Sequence, residues 1–358
     1  MVLSTRRCVA AAAALLAGRA TAQTYTSCDP LSATCSADTA LGMTIDVDFT
    51  QGEVNSFTAS GSPTYSSDDG VTFTVSKSGD APQLNSVFYI MFGRVEFSLK
   101  AAPGTGIVSS FVLQSDDLDE IDWEWLGADS TEVQSNYFGK GETTSYNRGQ
   151  LHEMGDTQSD FVTYVLDWTS DRIVWEADGT VLRTLEASDA ETNQYPQTPM
   201  MVKFGAWSGG DSSNAEGTIE WAGGETDYSQ GPFSMSVKSV QITDYSTGSS
   251  YSYSDNSGDW TSITSDGGEI NGNLGNADAL TTTAVASASS STSTADVPAG
   301  IGGSSSSSSD SSSLPAGWVM TSTGKIVPSG SATLRPVFPV VIISTLFAIL
   351  AGGRMFWP

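Results

Sequence analysis

The chain has 358 residues, with 41 acidic side chains against 15 basic ones, and a formal net charge of −26. Such a surplus repels nucleic acid, anionic lipid and sulfated or uronic polysaccharides, and leaves neutral polymers as partners. With three cysteines and one histidine, His152, neither a metal centre nor a cofactor is expected.

The chain begins with Arg6 and Arg7, an apolar run over 9–16 and Ala20-Thr21-Ala22. That order of charged, apolar and small residues makes 1–22 a secretory signal peptide, cut before Gln23. Cys8 leaves with it, and in an oxidising compartment the remaining Cys28 and Cys35 should pair. From there to Trp260 the apolar pattern is short and alternating, with turn residues every ten or so positions and no sustained helical period. Strands are expected at 43–49, 71–75, 87–92, 94–100, 107–113, 120–125, 132–138, 161–168, 172–176, 200–204, 218–221 and 233–245. Thr169-Ser170-Asp171 reads as a hairpin turn with Trp168 and Trp175 in its arms. So many strands in roughly 230 residues predict an all-β fold, a two-sheet jelly-roll sandwich whose concave face supplies a substrate cleft.

One strand carries chemistry. In Asp119-Glu120-Ile121-Asp122-Trp123-Glu124-Trp125-Leu126-Gly127, three carboxylates occupy alternate positions, so Glu120, Asp122 and Glu124 share one face while Ile121, Trp123 and Trp125 enter the core. A row of like charges repels itself and belongs in a cleft rather than in a merely structural strand. Glycosidic bond cleavage with retention needs such a set: one carboxylate attacks the sugar carbon, and a second protonates the leaving oxygen and later deprotonates the acceptor. The carboxylate between them can hydrogen-bond the nucleophile and keep the acid protonated. Residues four apart on a strand have Cα atoms about 13 Å apart, whereas a retaining pair works at about 5 to 5.5 Å, so the two Glu side chains must lean together. Gln134, Asn136 and Tyr137 follow on the next strand and are candidates for orienting donor sugars, although a polar strand edge explains them almost as well. Lys203, Gly205 and Trp207 share a face by alternation; Trp207 is the stronger cleft candidate, and Trp221 fits core or cleft equally.

After about residue 270 the chain turns to Thr, Ala and Ser, with an unbroken serine run at 304–309. Residues 271–329 cannot bury enough apolar surface to offset their ordering entropy and are expected to form a disordered, O-glycosylated linker. The apolar run 337–351 stops just short of the end and is shorter than the roughly 20 residues that a span needs. Residues 330–358 therefore read as a glycosylphosphatidylinositol attachment signal, with Ser322 and Ser329 as candidate attachment sites and an extracellular location at the cell membrane and wall.

The stretch from Asp119 to Gly127 resembles the active-site strand of glycoside hydrolase family 16, and the chain from about Cys28 to Trp260 is similar to the Crh-type fungal enzymes that link chitin to β-glucan. The similarity extends to Cys28-Asp29-Pro30-Leu31 with Cys35, Gln134-Ser135-Asn136-Tyr137-Phe138-Gly139-Lys140-Gly141, Phe204-Gly205-Ala206-Trp207 and Gly217-Thr218-Ile219-Glu220-Trp221-Ala222-Gly223-Gly224. It implies a catalytic domain over 23–270, Glu120 as nucleophile, Asp122 as its helper and Glu124 as acid/base, with Lys203, Trp207 and Thr218 against the sugar. Some relatives carry a cysteine-rich chitin-binding module for which this chain lacks the cysteines, so chitin recognition is expected within the cleft. The leading expectation is an anchored wall enzyme that cleaves β-1,4 bonds of chitin and passes the sugar to a β-glucan or chitin acceptor. The alternatives are plain hydrolysis of chitin or β-glucan, a wall carbohydrate-binding protein, and an acidic adhesin.

Overall fold

The computed structural model describes residues 26–143, 147–275, 281–284 and 286, together with the backbone of Trp318–Met320 and Ile326–Pro328. The expected signal peptide, the attachment signal and most of the linker lie outside these residues. Among the described residues no helix is long and apolar enough to cross a membrane.

Two antiparallel sheets carry the fold. The first runs in the order Gln150–Glu153, Glu132–Phe138, Glu120–Leu126, Ile107–Ser115, Met200–Ser208, Gln83–Ile90, Phe57–Ser60. The second runs Thr180–Glu186, Arg172–Ala177, Val162–Trp168, Gly93–Lys100, Phe233–Asp244, Thr44–Asp48, Thr281–Thr283, with Gly70–Val75 paired to the first half of Phe233–Asp244. The alternation read from the sequence holds within them: Gly93–Lys100 and Gln83–Ile90 bury every second residue. The expected hairpin pairs Trp168 with Ile173 across the turn, and Trp168 and Trp175 are both fully buried.

Aromatic rings join the layers. Phe97 of the second sheet stacks on Phe111 of the first, with centroids 4.5 Å apart. Trp125 stands edge-on to Tyr164 at 4.8 Å and donates its indole N–H to the Tyr164 hydroxyl at 2.9 Å. Trp175 reaches across to donate to the main-chain carbonyl of Asp122 at 3.0 Å. Each such ring stabilises the sandwich by about 1.5–3 kcal/mol through burial, and together they clamp the strand 120–126 from its core side.

Three observations differ from the sequence reading. Thr218, Ile219 and Trp221 are β-branched or aromatic and favour a strand, yet 218–221 lie in a short helix, Glu216–Trp221. The reason follows it in the chain: Gly224, at φ 125°, turns back to donate its N–H to the Ile219 carbonyl at 2.8 Å, a glycine-closed helix end. Second, Thr281–Thr283, within the segment expected to be disordered, pairs in parallel with Thr44–Asp48. An edge strand presents unpaired N–H and C=O groups, and a β-branched threonine run suits them. Third, Phe57–Ser60, Gln150–Glu153 and Thr180–Glu186 form strands where none was expected; they lie near or at sheet edges, where half or more of each strand is exposed.

Candidate active site

Burial on the strand 120–126 is two-sided. Ile121, Trp123 and Trp125 are wholly buried in the core, while Glu120, Asp122 and Glu124, at 6, 2 and 8% exposure, line the opposite face of the first sheet. The strand is held at its start by Asp119. Both Asp119 carboxyl oxygens lie 2.9 Å from the Lys140 ammonium, and Asp119 also accepts from the main-chain N–H of Lys140 at 3.0 Å and of Gln197 at 2.8 Å, and from the Thr198 hydroxyl at 2.9 Å. A backbone carbonyl in the middle of the row, that of Asp122, is pinned by Trp175. The three carboxyls are thus presented by a strand fixed at two points.

Their electrostatics differentiate them. Burial pushes the Asp122 carboxyl well above its usual range, and the charges of Glu120 and Glu124 push it further. Asp122 and Glu120 share a hydrogen bond that raises the former and lowers the latter, so the proton sits on Asp122 and Glu120 is the ionised partner. Burial also raises Glu120, but the Asp122 hydrogen bond and the Lys203 ammonium oppose it. Glu124 has no such support: burial first, then repulsion from Glu120, pushes it up to about 8. Both ends of the row are thus raised, Glu120 to about 7 and Glu124 to about 8, but only at Glu120 do a hydrogen bond and a cation oppose the rise.

Register shows what surrounds the row. On one side Gln134 stands opposite Glu124, Asn136 opposite Asp122 and Phe138 opposite Glu120. On the other side Ser110, Val112 and Gln114 face Glu124, Asp122 and Glu120. One strand further, Lys203, Gly205 and Trp207 pair with Val112, Ser110 and Val108, which places all three on the carboxylate face. Gln134 and Asn136 belong to that face as expected. Tyr137 does not: it sits opposite Ile121, is 4% exposed, and packs on the core side beside Arg183, whose guanidinium lies 5.3 Å from the ring centroid. The period of two that places Asn136 beside Asp122 necessarily turns Tyr137 away.

Trp207 and Trp221 form a stacked pair, with centroids 6.2 Å apart and planes 26° apart, at the Glu124 end of the row. Trp221 comes from the short helix and donates its indole N–H to the Gln134 side chain at 3.2 Å, so it belongs to the cleft. Thr218 sits one turn earlier on the same helix, half-buried on the face it shares with Trp221. The helix can lie close because glycines line its seat: a methyl group on Gly210 would fall 2.2 Å from the Gly224 carbonyl. Cys28 and Cys35 form a disulfide with Cα atoms 5.8 Å apart. Among the described residues no cluster of side chains could hold a metal ion.

Several residues were passed over in the sequence. Asp119 was visible as the first residue of the acidic run, and Lys140 as the one basic residue between Lys100 and Arg148, but their pairing joins positions 21 residues apart. Phe138 and Gln114 flank Glu120 from opposite sides, and only the register of three strands reveals it.

Known proteins are similar to this chain in sequence and fold. Residues 51–223 match the family described as glycosyl hydrolases family 16. Crh-like protein 4 of Botryotinia fuckeliana is 54% identical over 371 residues, spanning 97% of this chain and 98% of that protein. Congo red hypersensitive protein 1 of Saccharomyces cerevisiae is 51% identical over 249 residues, which cover 69% of this chain and 48% of that protein, about half its length. Among solved structures, a Crh5 transglycosylase in complex with NAG superposes with a TM-score of 0.65 at 51% identity, over 67% of this chain and 100% of that one. Identity above one half across nearly the whole of a relative, on a sandwich of the same layout, leaves one assignment: the chain belongs to glycoside hydrolase family 16, among the Crh-like transglycosylases.

Proposed function

We propose that the protein is a retaining transglycosylase that cleaves β-1,4 bonds in chitin and transfers the released glycosyl unit to β-glucan or chitin. The observation that carries this reading is three buried carboxylates in a row on one strand face, of which only Glu120 has a hydrogen bond from Asp122 and the Lys203 ammonium favouring its charged form. Glu120 attacks the anomeric carbon, and Glu124 gives its proton to the departing glycosidic oxygen. With Glu124 now ionised, it takes the proton from an incoming sugar hydroxyl, whose oxygen displaces Glu120 and restores both groups. Asp122 donates to Glu120 while Glu120 is charged, and so favours its ionised state before attack and its departure afterwards.

Transfer rather than hydrolysis requires that an acceptor sugar occupy the anomeric carbon more often than water does. The Trp207–Trp221 pair beyond Glu124 supplies an aromatic surface for that sugar, with Lys203 and Thr218 as hydrogen-bond donors. A net charge of −26 favours neutral polymers, and the NAG bound to the related Crh5 transglycosylase is a neutral amino sugar. Secretion through the peptide 1–22 and a glycosylphosphatidylinositol anchor added near Ser322 or Ser329 would place the cleft at the wall.

The test is incubation with chitin oligosaccharides and a fluorescent β-glucan oligosaccharide, following both products by mass. Labelled hybrid chains with β-linkage retained are expected. Release of free sugars alone at high acceptor concentration would reduce the reading to hydrolysis, and inverted product would exclude the double-displacement route.

A further inference from the structure

Gln114 stands beside the carboxylate row with half of its amide unused among the described residues. It lies on the strand Ile107–Ser115, directly opposite Glu120 on the carboxylate face, and is 2% exposed. Its Oε1 accepts a hydrogen bond from the Lys203 ammonium. That contact fixes which end of the amide is which, because an ammonium only donates and a flipped amide would set N–H against N–H. The Nε2 group is therefore turned away from Lys203, and it has no hydrogen-bond partner among the described residues. Oε2 of the neighbouring Glu120 likewise has none. A buried donor left without an acceptor costs about 1–3 kcal/mol, a cost that disappears once a ligand supplies an oxygen.

We infer that Gln114 Nε2 donates a hydrogen bond to the oxygen of the C2 substituent of the sugar that Glu120 attacks, either the acetamido carbonyl of a chitin unit or the hydroxyl of a glucan unit. This rests on Glu120 being the nucleophile. A donor standing beside the nucleophile reaches only the atoms next to the anomeric carbon, which are the ring oxygen and the C2 substituent. The ring oxygen takes up positive charge as the oxocarbenium-like transition state forms, so a donor aimed there opposes the reaction. Hydrogen bonds to the C2 substituent strengthen in that same state. Lys203 then acts through Gln114: by holding Oε1 it aims Nε2 and keeps a positive charge near Glu120.

The experiment uses the full chain and aryl chitobiosides whose reacting sugar carries a 2-acetamido group, a 2-hydroxyl or a 2-deoxy centre. Gln114→Met keeps length and removes the donor. Its kcat/KM is expected to fall about 10- to 100-fold on the acetamido and hydroxyl substrates and less than about 3-fold on the 2-deoxy substrate. The substrate with the larger fall identifies which C2 oxygen the amide prefers. Equal losses on all three, or none, overturn the inference and leave Gln114 a support for Lys203. If Gln114→Met fails to fold, Gln114→Glu, which preserves an acceptor for Lys203 but no donor, is put through the same three substrates with the same criteria. A wild type that turns over none of the three fails on the proposed function itself, so the two failures are distinguishable.

Discussion

Asp244 and Asp122 are both buried carboxylates on sheet strands, and their surroundings are opposite. Asp244 accepts from the main-chain N–H groups of Gly42 at 2.9 Å, Met91 at 3.1 Å and Ser246 at 3.0 Å, and from the Tyr251 hydroxyl at 2.6 Å. Burial pushes it up to about 7, and each of those donors pulls against that rise. Asp122 faces two further acids, every influence on it acts upward, and its Oδ1 has no partner among the described residues. A buried acid surrounded by donors holds loops together. A buried acid surrounded by acids stores a proton.

Substitutions that remove charge from the two places should separate them. The largest effect is expected at the ends of the row: Glu120→Gln and Glu124→Gln each lower kcat by about 10³-fold or more with the fold intact, by circular dichroism and initial rates. The wild-type pH profile should be a bell. Glu120 must be ionised, so activity falls as pH drops through its raised pKa of about 7; Glu124 must be protonated, so activity falls as pH rises through about 8. The residual activity of Glu124→Gln should lack the alkaline limb, and an unchanged bell would dismiss Glu124 as the acid.

Next in size is Asp244→Ala, which strands three buried N–H groups and should cost about 3–5 kcal/mol in denaturant unfolding while leaving the rate per folded molecule unchanged. A stable variant would show that the contrast between the two carboxylates is false. Trp207→Ala should cost about 1–2 kcal/mol of transition-state stabilisation for transfer and less for hydrolysis, since water needs no stacking surface; equal losses would remove the ring from the acceptor path. The smallest effect, and the sharpest in sign, is Asp122→Asn, which should slow turnover yet raise stability by about 1 kcal/mol at pH 8. The sign follows from linkage: a carboxyl raised in the folded state contributes stability below its unfolded pKa and loses it as pH rises through the folded value. An Asp122→Asn protein less stable than wild type at pH 8 would make Asp122 a framework residue like Asp244.

The two-sheet sandwich and the division of 120–126 into a core face and a cleft face were legible because both depend on a period of two within a single strand. Register between strands was not, since it is set by turns and packing distant in the chain. That is why Tyr137 was grouped with Gln134 and Asn136 and proved to face Arg183, and why Gln114 attracted no notice. The helix at 216–221 was missed because propensity favoured a strand, whereas a positive-φ glycine and close backbone packing decided the conformation. The Cys28–Cys35 pairing followed from counting, for only two cysteines remain once Cys8 is set aside.

The strand at 120–126 behaves as a reading frame. Its odd positions answer to Tyr164 and Phe97, its even positions to the sugar, and a one-residue insertion or deletion between Asp119 and Glu124 would exchange the two sets at once. Carboxylates would enter the aromatic core and tryptophans would line the cleft. Length variation in that segment is therefore barred, and the cleft is free to change shape only where no frame is kept, as in the short helix that carries Trp221.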